Sequence, residues 1–259
     1  MGTVRLHRIT PLASGEPGAP GGQGCSLRPA RRFFFVCPFP LTEDKTVTCL
    51  HEEYRPRKWT DVVGQPKLLA QLDRLRPRGL TGRAYWISGP SGSGKTTVAR
   101  LLAAEVADPC MTDEIDGTSV SAGWLDQIER EQRSRPLFGS AYAWIVNEAH
   151  RIRADLVTRL LVMLDPVPEH AIYIFTTTSE AQQELWDRKL DAAPFLSRCV
   201  KLVTSPSRVE FAKRAREIAT VEGLDGRPIG SYYDLARECD GNFRAMLQAV
   251  EAGRMLAES

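Results

Sequence analysis

The residues best suited to chemistry lie together in one glycine-rich segment. Its sequence, Gly-Pro-Ser-Gly-Ser-Gly-Lys-Thr from Gly89 to Thr96, matches in full the pattern glycine, any four residues, glycine, lysine, and serine or threonine. The glycines allow the backbone to curl so that successive N–H groups point at phosphate oxygens, and a helix beginning near Lys95 adds its partially positive end. We expect Lys95 to reach the β- and γ-phosphates of a nucleotide and the Thr96 hydroxyl to ligate Mg²⁺. The segment predicts a site for ATP and Mg²⁺ that comprises Gly89, Pro90, Ser91, Gly92, Ser93, Gly94, Lys95, Thr96 and Thr97.

A second group of candidate residues follows the apolar run Ala141–Val146, which is succeeded by Asn147 and Glu148. In P-loop ATPases such a strand ends in an acid that holds Mg²⁺ through water, and a following glutamate orients the attacking water. Asn147 can accept a hydrogen bond from a metal-bound water but carries no negative charge, a loss on the order of 1–4 kcal/mol at ~4 Å, depending on the local dielectric. We therefore expect weaker Mg²⁺ binding and slower turnover, with nucleotide binding retained through Lys95 and its loop.

Short apolar runs alternate with helical patterns over the middle of the chain. The predicted strands are Ala84–Ser88, Glu114–Ile115, Ala141–Val146, Ala171–Thr176 and Cys199–Val203. Strands that alternate with helices indicate βαβ units and a parallel sheet. After Ser205 only helical patterns remain, at Arg208–Val221, Tyr232–Cys239 and Phe243–Ala257. The predicted class is α/β, a five-stranded parallel sheet flanked by helices with a small C-terminal helical lid.

The organisation of the chain follows from these patterns and from its length of 259 residues, which suits one or two domains. Residues 1–50 include the Gly- and Pro-rich stretch Gly15–Gly24, which favours a largely disordered extension. Residues 51–204 are expected to form the nucleotide-binding domain and residues 205–259 the lid domain.

Composition narrows the function classes without choosing among them. A net charge of +2 does not indicate nucleic-acid binding by bulk charge, so any such surface must be local. None of the six cysteines lies in a C-x-x-C pair, which argues against a zinc ribbon. No apolar run is long enough to span a bilayer, and we expect a cytoplasmic protein without a membrane partner.

The segment before the predicted sheet carries a family resemblance. Tyr54-Arg55-Pro56, followed by Trp59-Thr60-Asp61-Val62-Val63-Gly64-Gln65, resembles the opening of AAA+ clamp-loader ATPases, both the bacterial DNA polymerase III gamma/tau subunit and the replication factor C small subunits. The resemblance runs from about Glu52 to Ala257. It implies that the adenine and ribose are enclosed by Tyr54, Arg55, Pro56, Val63 and Gly64.

Three further catalytic roles are implied by the same resemblance. Leu196-Ser197-Arg198-Cys199 matches the Ser-Arg-Cys motif of the family, whose arginine acts in trans on the γ-phosphate held by a neighbouring subunit. An arginine suits this task because it is always charged and offers a planar fork to phosphate. Thr178 occupies the place of the family's polar γ-phosphate sensor. Arg244, within Gly241-Asn242-Phe243-Arg244, resembles the second sensor on the lid.

The chain also departs from the family pattern. Asn147 replaces the usual acid, and the stretch between Thr178 and Ser197 is longer than usual, with Trp186–Ala193 as an apparent insertion. The four-cysteine zinc module of the gamma/tau subunit is absent, leaving only Cys110 nearby. The chain ends after the lid, whereas clamp loaders continue into a collar domain that holds the ring of subunits together.

Three functions follow as expectations. The first is an ATPase subunit that works with identical or different AAA+ subunits and engages a sliding clamp and primer-template DNA; Arg151, Arg153 and Arg159 are candidates for phosphate contacts. The second is a nucleotide-binding scaffold or switch with little hydrolysis, favoured by Asn147. The third is a Holliday-junction branch-migration motor, which shares the Gly-Gln opening but not the Ser-Arg-Cys motif.

Overall fold

The computed structural model describes residues 49–178 and 192–257. The predicted extension lies outside the described residues except for its last two positions, and the apparent insertion lies outside them up to residue 191. No helix in these two ranges is both long and apolar enough to cross a bilayer.

A five-stranded sheet forms the centre of the described residues. Its strands are β1 Arg83–Gly89, β2 Ala107–Asp116, β3 Ala141–Asn147, β4 Ala171–Thr178 and β5 Cys199–Val203. The order across the sheet is β2-β3-β4-β1-β5, and every neighbouring pair is parallel. The predicted parallel sheet is confirmed. All five strands therefore present their carboxyl ends at one edge, where ligands bind in open α/β sheets.

The second strand is longer than its sequence indicates. Only Glu114–Ile115 was expected, but β2 begins at Ala107, with an irregular register against β3 between Ala107 and Thr112. Pro109 lies in this irregular part, and a proline normally argues against a central strand because it cannot donate to the ladder. β2 is an edge strand of the described sheet, where proline is tolerated.

Nine α-helices lie in residues 49–178 and 192–257, and of the three predicted after Ser205 one has the predicted bounds, one begins three residues early and one ends six residues early. The nine helices are α1 Leu50–Glu53, α2 Pro66–Leu75, α3 Lys95–Val106, α4 Ala122–Glu131, α5 Ala154–Met163, α6 Ala192–Ser197, α7 Arg208–Val221, α8 Ile229–Glu238 and α9 Phe243–Glu251. The last helix is shorter than predicted, because Gly253 adopts a left-handed φ of 79° and the Arg254 N–H donates to the Ala249 carbonyl, which ends the helix in a Schellman motif.

Both faces of the sheet are buried. Trp86, Trp144 and Phe175 face α4, α5 and α6, whereas Ile87 and Ile145 face α2 and α3. Neighbouring strand residues point to opposite faces, so each strand contributes to both cores. This explains why the strands read as continuous apolar runs rather than as alternating patterns.

The lid helices α7, α8 and α9 enclose a third cluster, around Phe211, Tyr232 and Met246. Leu50 lies within this cluster and Tyr54 packs against it, although both precede the sheet in sequence. The contacts of the chain group residues 45–259 into one unit. The division into domains at residues 204 and 205 therefore stays a prediction.

Candidate nucleotide-binding site

The glycine-rich loop connects the carboxyl end of β1 to the first turn of α3. Gly92 and Gly94 have left-handed φ angles of 68° and 92°, which glycine adopts without strain. At Gly92 a Cβ would lie 1.8 Å from Oδ1 of Asn242. The Gly92 carbonyl accepts from the N–H of Phe243 at 3.3 Å. The lid thus rests directly on the loop, and no side chain fits at position 92.

Lys95 is buried at the start of α3. Its Nζ donates to the carbonyls of Gly89 at 3.1 Å and Pro90 at 2.8 Å. The ammonium group therefore lies over the inside of the loop, where the motif predicts phosphate oxygens. A second hydrogen bond fixes the loop to the residue after β5, because the hydroxyls of Ser93 and Thr204 lie 2.7 Å apart.

Asn147, at the end of β3, collects hydrogen bonds from three elements. Its Oδ1 accepts from the hydroxyls of Thr96 at 3.1 Å and Thr176 at 3.0 Å. Its Nδ2 donates to Oε1 of Glu114 on β2 at 2.7 Å. Arg100, one turn along α3 from Thr96, holds the same carboxylate through Nε at 2.7 Å and Nη2 at 3.1 Å. The hydrogen bonds that Arg100 donates to Glu114 raise the pKa of the Arg100 guanidinium.

Two residues of this cluster were not predicted from the sequence. Thr176 is the first of three consecutive threonines, and composition alone does not show which of the three hydroxyls faces the loop. The alternation of side chains along β4 is the signal that could have placed Thr176 and Thr178 on the same face. Glu114 lies in a segment predicted as a short strand, and only the pairing of β2 with β3 brings it to Asn147.

Glu148 directly follows β3 with a left-handed φ of 49°, unusual for a residue other than glycine. Its Oε2 lies 3.5 Å from Nδ1 of His150, which also lies 3.2 Å from the hydroxyl of Thr177. Thr178 is half-buried at the end of β4, in register with Gly89 of β1. The roles of Glu148 and Thr178 stay predictions.

A cavity lies between the loop, the lid and the segment before the sheet. Of the predicted site residues, it is lined by Tyr54, Arg55, Pro56, Val63, Ser91, Gly92, Ser93, Gly94, Lys95, Thr96, Thr97, Glu148 and Arg244. Gly64, Gly89, Pro90, Asn147, Thr178 and Arg198 are not among its lining residues. Arg55, Lys95, Arg214 and Arg244 give the walls four cationic side chains against the two carboxylates of Asp61 and Glu148, an excess of positive charge. Such a surface favours a polyanionic ligand.

Part of the cavity lining is apolar and aromatic. Phe211 of α7 and Phe243 of α9 line it, with ring centroids 5.0 Å apart, together with Val63. The Tyr54 hydroxyl donates to the carboxylate of Glu222, and this hydrogen bond raises the pKa of Tyr54 to about 12. A neutral tyrosine and two phenylalanines form walls that suit a planar base. Phe211 and Arg214 were missed because their sequence patterns are those of an ordinary amphipathic helix.

Gln65 ties the loop to the lid. Its buried side chain donates from Nε2 to the Ser93 carbonyl at 3.2 Å and accepts at Oε1 from the Ser205 N–H at 2.8 Å. The sequence placed Gln65 in the turn of the opening segment but gave it no role. Its amide connects the phosphate loop to the first residues of the lid segment.

Arg198 lies away from this cavity. Its Nη2 pairs with Oδ2 of Asp165 at 3.2 Å, and its Nη1 donates to the Pro194 carbonyl at 2.9 Å. A residue that acts in trans is expected outside the site of its own chain. Next to it, Cys199 is buried, and this burial raises the pKa of its thiol to about 12.

Two of the three arginines considered for phosphate contacts have carboxylate partners. Arg153 pairs with Asp155 at 2.8 Å. Arg159 pairs with Asp126 at 2.6 Å and with Glu129 at 2.9 Å. These ion pairs reduce the positive charge that α5 and the residue before it would offer to nucleic acid. A DNA-binding surface at this helix stays a prediction.

The oxygen donors at the loop fit a magnesium ion. Thr96 Oγ1 and Asn147 Oδ1 lie 3.1 Å apart, and Glu148 lines the adjacent cavity. Within residues 49–178 and 192–257, no three His, Cys, Asp or Glu side chains form a metal cage. Mg²⁺ keeps several waters and usually takes one or two protein ligands together with substrate phosphates. The donor set therefore suits a cation that arrives with a nucleotide.

By sequence, the chain is similar to bacterial DNA polymerase III gamma/tau subunits. No family model matches it. It is 32% identical over 155 residues to the DNA polymerase III subunit gamma/tau of Mycobacterium tuberculosis, covering 50% of this chain and 27% of that protein. It is 28% identical over 230 residues to the DNA polymerase III subunit tau of Bacillus subtilis, covering 78% and 38%. The chain thus spans about a quarter to two fifths of the length of these two relatives.

Solved structures show the same fold. The Thermotoga maritima RuvB Holliday junction branch migration motor superposes with a TM-score of 0.56 at 18% identity, covering 76% of this chain and 64% of that one. A DNA polymerase III gamma subunit-related protein from the same organism gives a TM-score of 0.52 at 19% identity, covering 71% and 57%. With its parallel sheet and its phosphate-binding loop, the chain has the AAA+ fold of P-loop nucleoside triphosphatases, and its sequence is similar to that of the DNA polymerase III gamma/tau subunits.

Proposed function

We propose that this chain is an ATP-binding AAA+ ATPase subunit that resembles a DNA clamp loader and acts in DNA replication or repair. The observation that carries the proposal is the single cavity in which the loop residues, Glu148 and the lid residue Arg244 meet. Aromatic rings and four cationic side chains line the same cavity, which suits the base and the phosphates of a nucleotide.

The phosphates would be bound by the loop and by Lys95. On binding, the Lys95 ammonium exchanges the carbonyls of Gly89 and Pro90 for phosphate oxygens, a small movement for a long flexible side chain. The backbone N–H groups of the loop and of the first turn of α3 would add neutral hydrogen-bond donors to the phosphate oxygens. Arg244 approaches from the lid and closes the site on the nucleotide.

Hydrolysis would require an oriented water. Glu148 lies on the cavity wall, and in P-loop enzymes a glutamate in this place orients the attacking water. Bound Mg²⁺ would neutralise charge that develops on the β- and γ-phosphates. Thr96 and Asn147 offer the oxygens on the protein side of that ion.

A neighbouring subunit would complete the site. Arg198 is outside the cavity of its own chain and is held at the surface by Asp165. An identical or different AAA+ subunit would receive this arginine at its γ-phosphate. The similarity to DNA polymerase III gamma/tau subunits supports a sliding clamp and primer-template DNA as further partners.

The proposal is tested by nucleotide binding. Lys95→Ala is expected to reduce the affinity for ATP by at least about tenfold, because it removes charge-assisted hydrogen bonds to phosphate. Isothermal titration calorimetry with ATP and Mg²⁺ measures the change. Lys67→Ala, at an exposed position of α2, is the matched control and is expected to bind ATP as the wild type does. If the folded wild-type protein binds neither ATP nor ADP, the proposal is wrong.

Asn147 favours a second candidate, a nucleotide-binding scaffold or switch with little hydrolysis. The structure offers a neutral amide where a carboxylate would otherwise face the metal. Tight ATP binding with negligible turnover, even with DNA and partner subunits added, would favour the switch. The branch-migration motor rests on a structural likeness at 18% identity, which speaks for the fold alone.

A further inference from the structure

The orientation of the Asn147 side-chain amide is a chemical question that an aspartate at this position would not raise. An amide presents an oxygen on one side and an NH₂ group on the other, and a half-turn exchanges them. Only the oxygen can face a cation or accept from a metal-bound water. A site built on asparagine therefore needs something that selects one of the two orientations.

The hydroxyls around Asn147 do not make this selection. Thr96 and Thr176 lie 3.1 and 3.0 Å from Oδ1, but a hydroxyl both donates and accepts, so it would satisfy either orientation of the amide. The remaining neighbour on the opposite side of the amide must therefore decide.

Glu114 is that neighbour. Its ionised carboxylate accepts hydrogen bonds and donates none, and Oε1 lies 2.7 Å from Nδ2 of Asn147. Arg100 binds both carboxylate oxygens, at 2.7 and 3.1 Å, and so holds the group in place and in its charged form. With the amide reversed, the carbonyl oxygen of Asn147 would face this carboxylate, oxygen against oxygen.

We propose that Glu114 is a positioning residue that turns the Asn147 amide so that its oxygen faces Thr96 and the magnesium side of the site. The inference rests on the proposed function, because it concerns the Mg²⁺ that accompanies the nucleotide. It assigns to β2 a residue that acts on the metal side through β3, and it explains why the oxygen of a neutral amide, and not its NH₂ group, lies beside Thr96.

The proposal separates Glu114 from an ordinary structural ion pair, because its effect depends on the residue at position 147. A carboxylate at 147 has oxygens on both sides and needs no selection. Glu114 should therefore matter for Mg²⁺ when residue 147 is asparagine and should not help when it is aspartate.

Four proteins test this dependence: wild type, Glu114→Gln, Asn147→Asp and the double variant. The affinity for a fluorescent ATP analogue is measured in EDTA and in Mg²⁺. The ratio of the affinity in Mg²⁺ to the affinity in EDTA reports the contribution of the metal. In the asparagine background, Glu114→Gln is expected to lower this ratio by about tenfold or more, as for the loss of one hydrogen bond to a charged group. In the aspartate background the same change is expected to leave the ratio unchanged or raise it.

The controls separate this inference from the proposed function. Glu105→Gln removes a carboxylate that lies on α3 and pairs with Arg76 at 2.7 Å. This change is expected to leave the ratio unchanged. Absence of binding in EDTA as well as in Mg²⁺ would contradict the proposed function. Normal binding in EDTA with an equal loss of the ratio in both backgrounds would overturn the role of Glu114, and so would an unchanged ratio in the asparagine background.

A measurement without any substitution covers the case in which Glu114→Gln does not fold. In a crystal structure of the wild type at atomic resolution, the scattering of nitrogen and oxygen distinguishes the two orientations of the amide. Nitrogen next to Glu114 is the expected result. Oxygen next to Glu114 would overturn the proposal.

Discussion

At the scale of single residues, Asn147 makes a set of contacts that an aspartate could not make. Its amide accepts from two hydroxyls and donates to a carboxylate, and an ionised aspartate has no donor to offer Glu114. The substitution therefore removes a charge from the metal side and adds a hydrogen bond to β2. Both consequences belong to one side chain, but only the loss of charge is visible in the sequence.

Asn147→Asp is expected to raise the steady-state ATPase rate, because a carboxylate attracts the metal by an additional amount on the order of 1 kcal/mol or more at ~4 Å. Combination with Glu114→Gln is expected to give the larger increase, since it removes the facing negative charge. Phosphate release assays with saturating ATP and Mg²⁺ measure the rates. Adding Lys95→Ala should abolish the activity and so assign it to this site; an unchanged rate in Asn147→Asp would contradict the expectation.

The cysteines allow a second test at this scale. Burial raises the pKa of the Cys199 thiol to about 12, so almost no reactive thiolate is present at pH 8, whereas Cys49 and Cys110 are exposed. A short pulse of iodoacetamide at pH 8 should label Cys49 and Cys110 but spare Cys199. Peptide mass mapping gives the extent at each position, and the urea-unfolded chain is the control in which Cys199 must react. Equal labelling of Cys199 and Cys49 in the folded protein would be inconsistent with this packing.

At the scale of the elements, one carboxylate links two helices of the lid in addition to their hydrophobic core. Asp225 accepts from Arg216 Nε at 3.2 Å and Thr220 Oγ1 at 3.1 Å on α7, and from the Tyr232 hydroxyl at 3.1 Å on α8. Burial alone would raise the pKa of Asp225, but the hydrogen bonds from these three side chains outweigh it and hold the pKa below its ordinary value. Because α7 and α9 line the cavity, the stability of this junction bears on the site.

Asp225→Asn is expected to lower the free energy of unfolding by about 1–2 kcal/mol at pH 7, through weakened hydrogen bonds to the former carboxylate. A carboxyl group with a depressed folded-state pKa stabilises the protein above its unfolded pKa of about 3.9, and this stabilisation is lost as the pH falls through the folded pKa. The difference between wild type and variant should therefore shrink below about pH 4.

Urea unfolding at several pH values measures this difference. Asp234→Asn is the matched control on α8, because Asp234 is exposed and forms an ion pair with Arg237 at 3.5 Å. It is expected to change stability by less than about 0.5 kcal/mol. A pH-independent effect of Asp225→Asn would argue against the charged hydrogen bonds as its cause.

At the scale of the whole molecule, the proposed function divides one active unit between two places on the chain. The cavity would hold the nucleotide, whereas Arg198 lies outside it beside Asp165. A chain arranged in this way would reach full activity only when two copies, or a copy and a related subunit, meet. The ATPase rate per chain is accordingly expected to rise with protein concentration.

Mixing of two inactive variants tests this arrangement. Arg198→Ala retains the nucleotide site but lacks the arginine for a neighbour, and Lys95→Ala retains the arginine but lacks the site. Each alone is expected to show little ATPase activity, and an equimolar mixture should recover part of it, because Arg198 of one chain can act at the Lys95 site of another. Arg153→Ala, at an exposed position, is the control that should stay active alone. No recovery in the mixture would contradict action in trans.

Much of the fold followed from local patterns in the sequence. α7 and β5 have the predicted bounds, and β1, β3 and β4 differ from the prediction by one or two residues at one or both ends. The register irregularity in β2 and the early end of α9 were not visible, because they depend on pairing with β3 and on a glycine that turns the chain back toward Gly226.

The sequence by itself determined the phosphate loop, since all of its donors lie within Gly89–Thr96 and depend only on glycine conformations and on the start of one helix. Only the tertiary structure placed Glu114 against Asn147, 33 residues away, and Leu50 in the core of the lid. The physical reason is that hydrogen bonds of a side chain at a strand end are decided by which strands are neighbours. That order, β2-β3-β4-β1-β5, arises from packing of the whole sheet and cannot be predicted from any single segment.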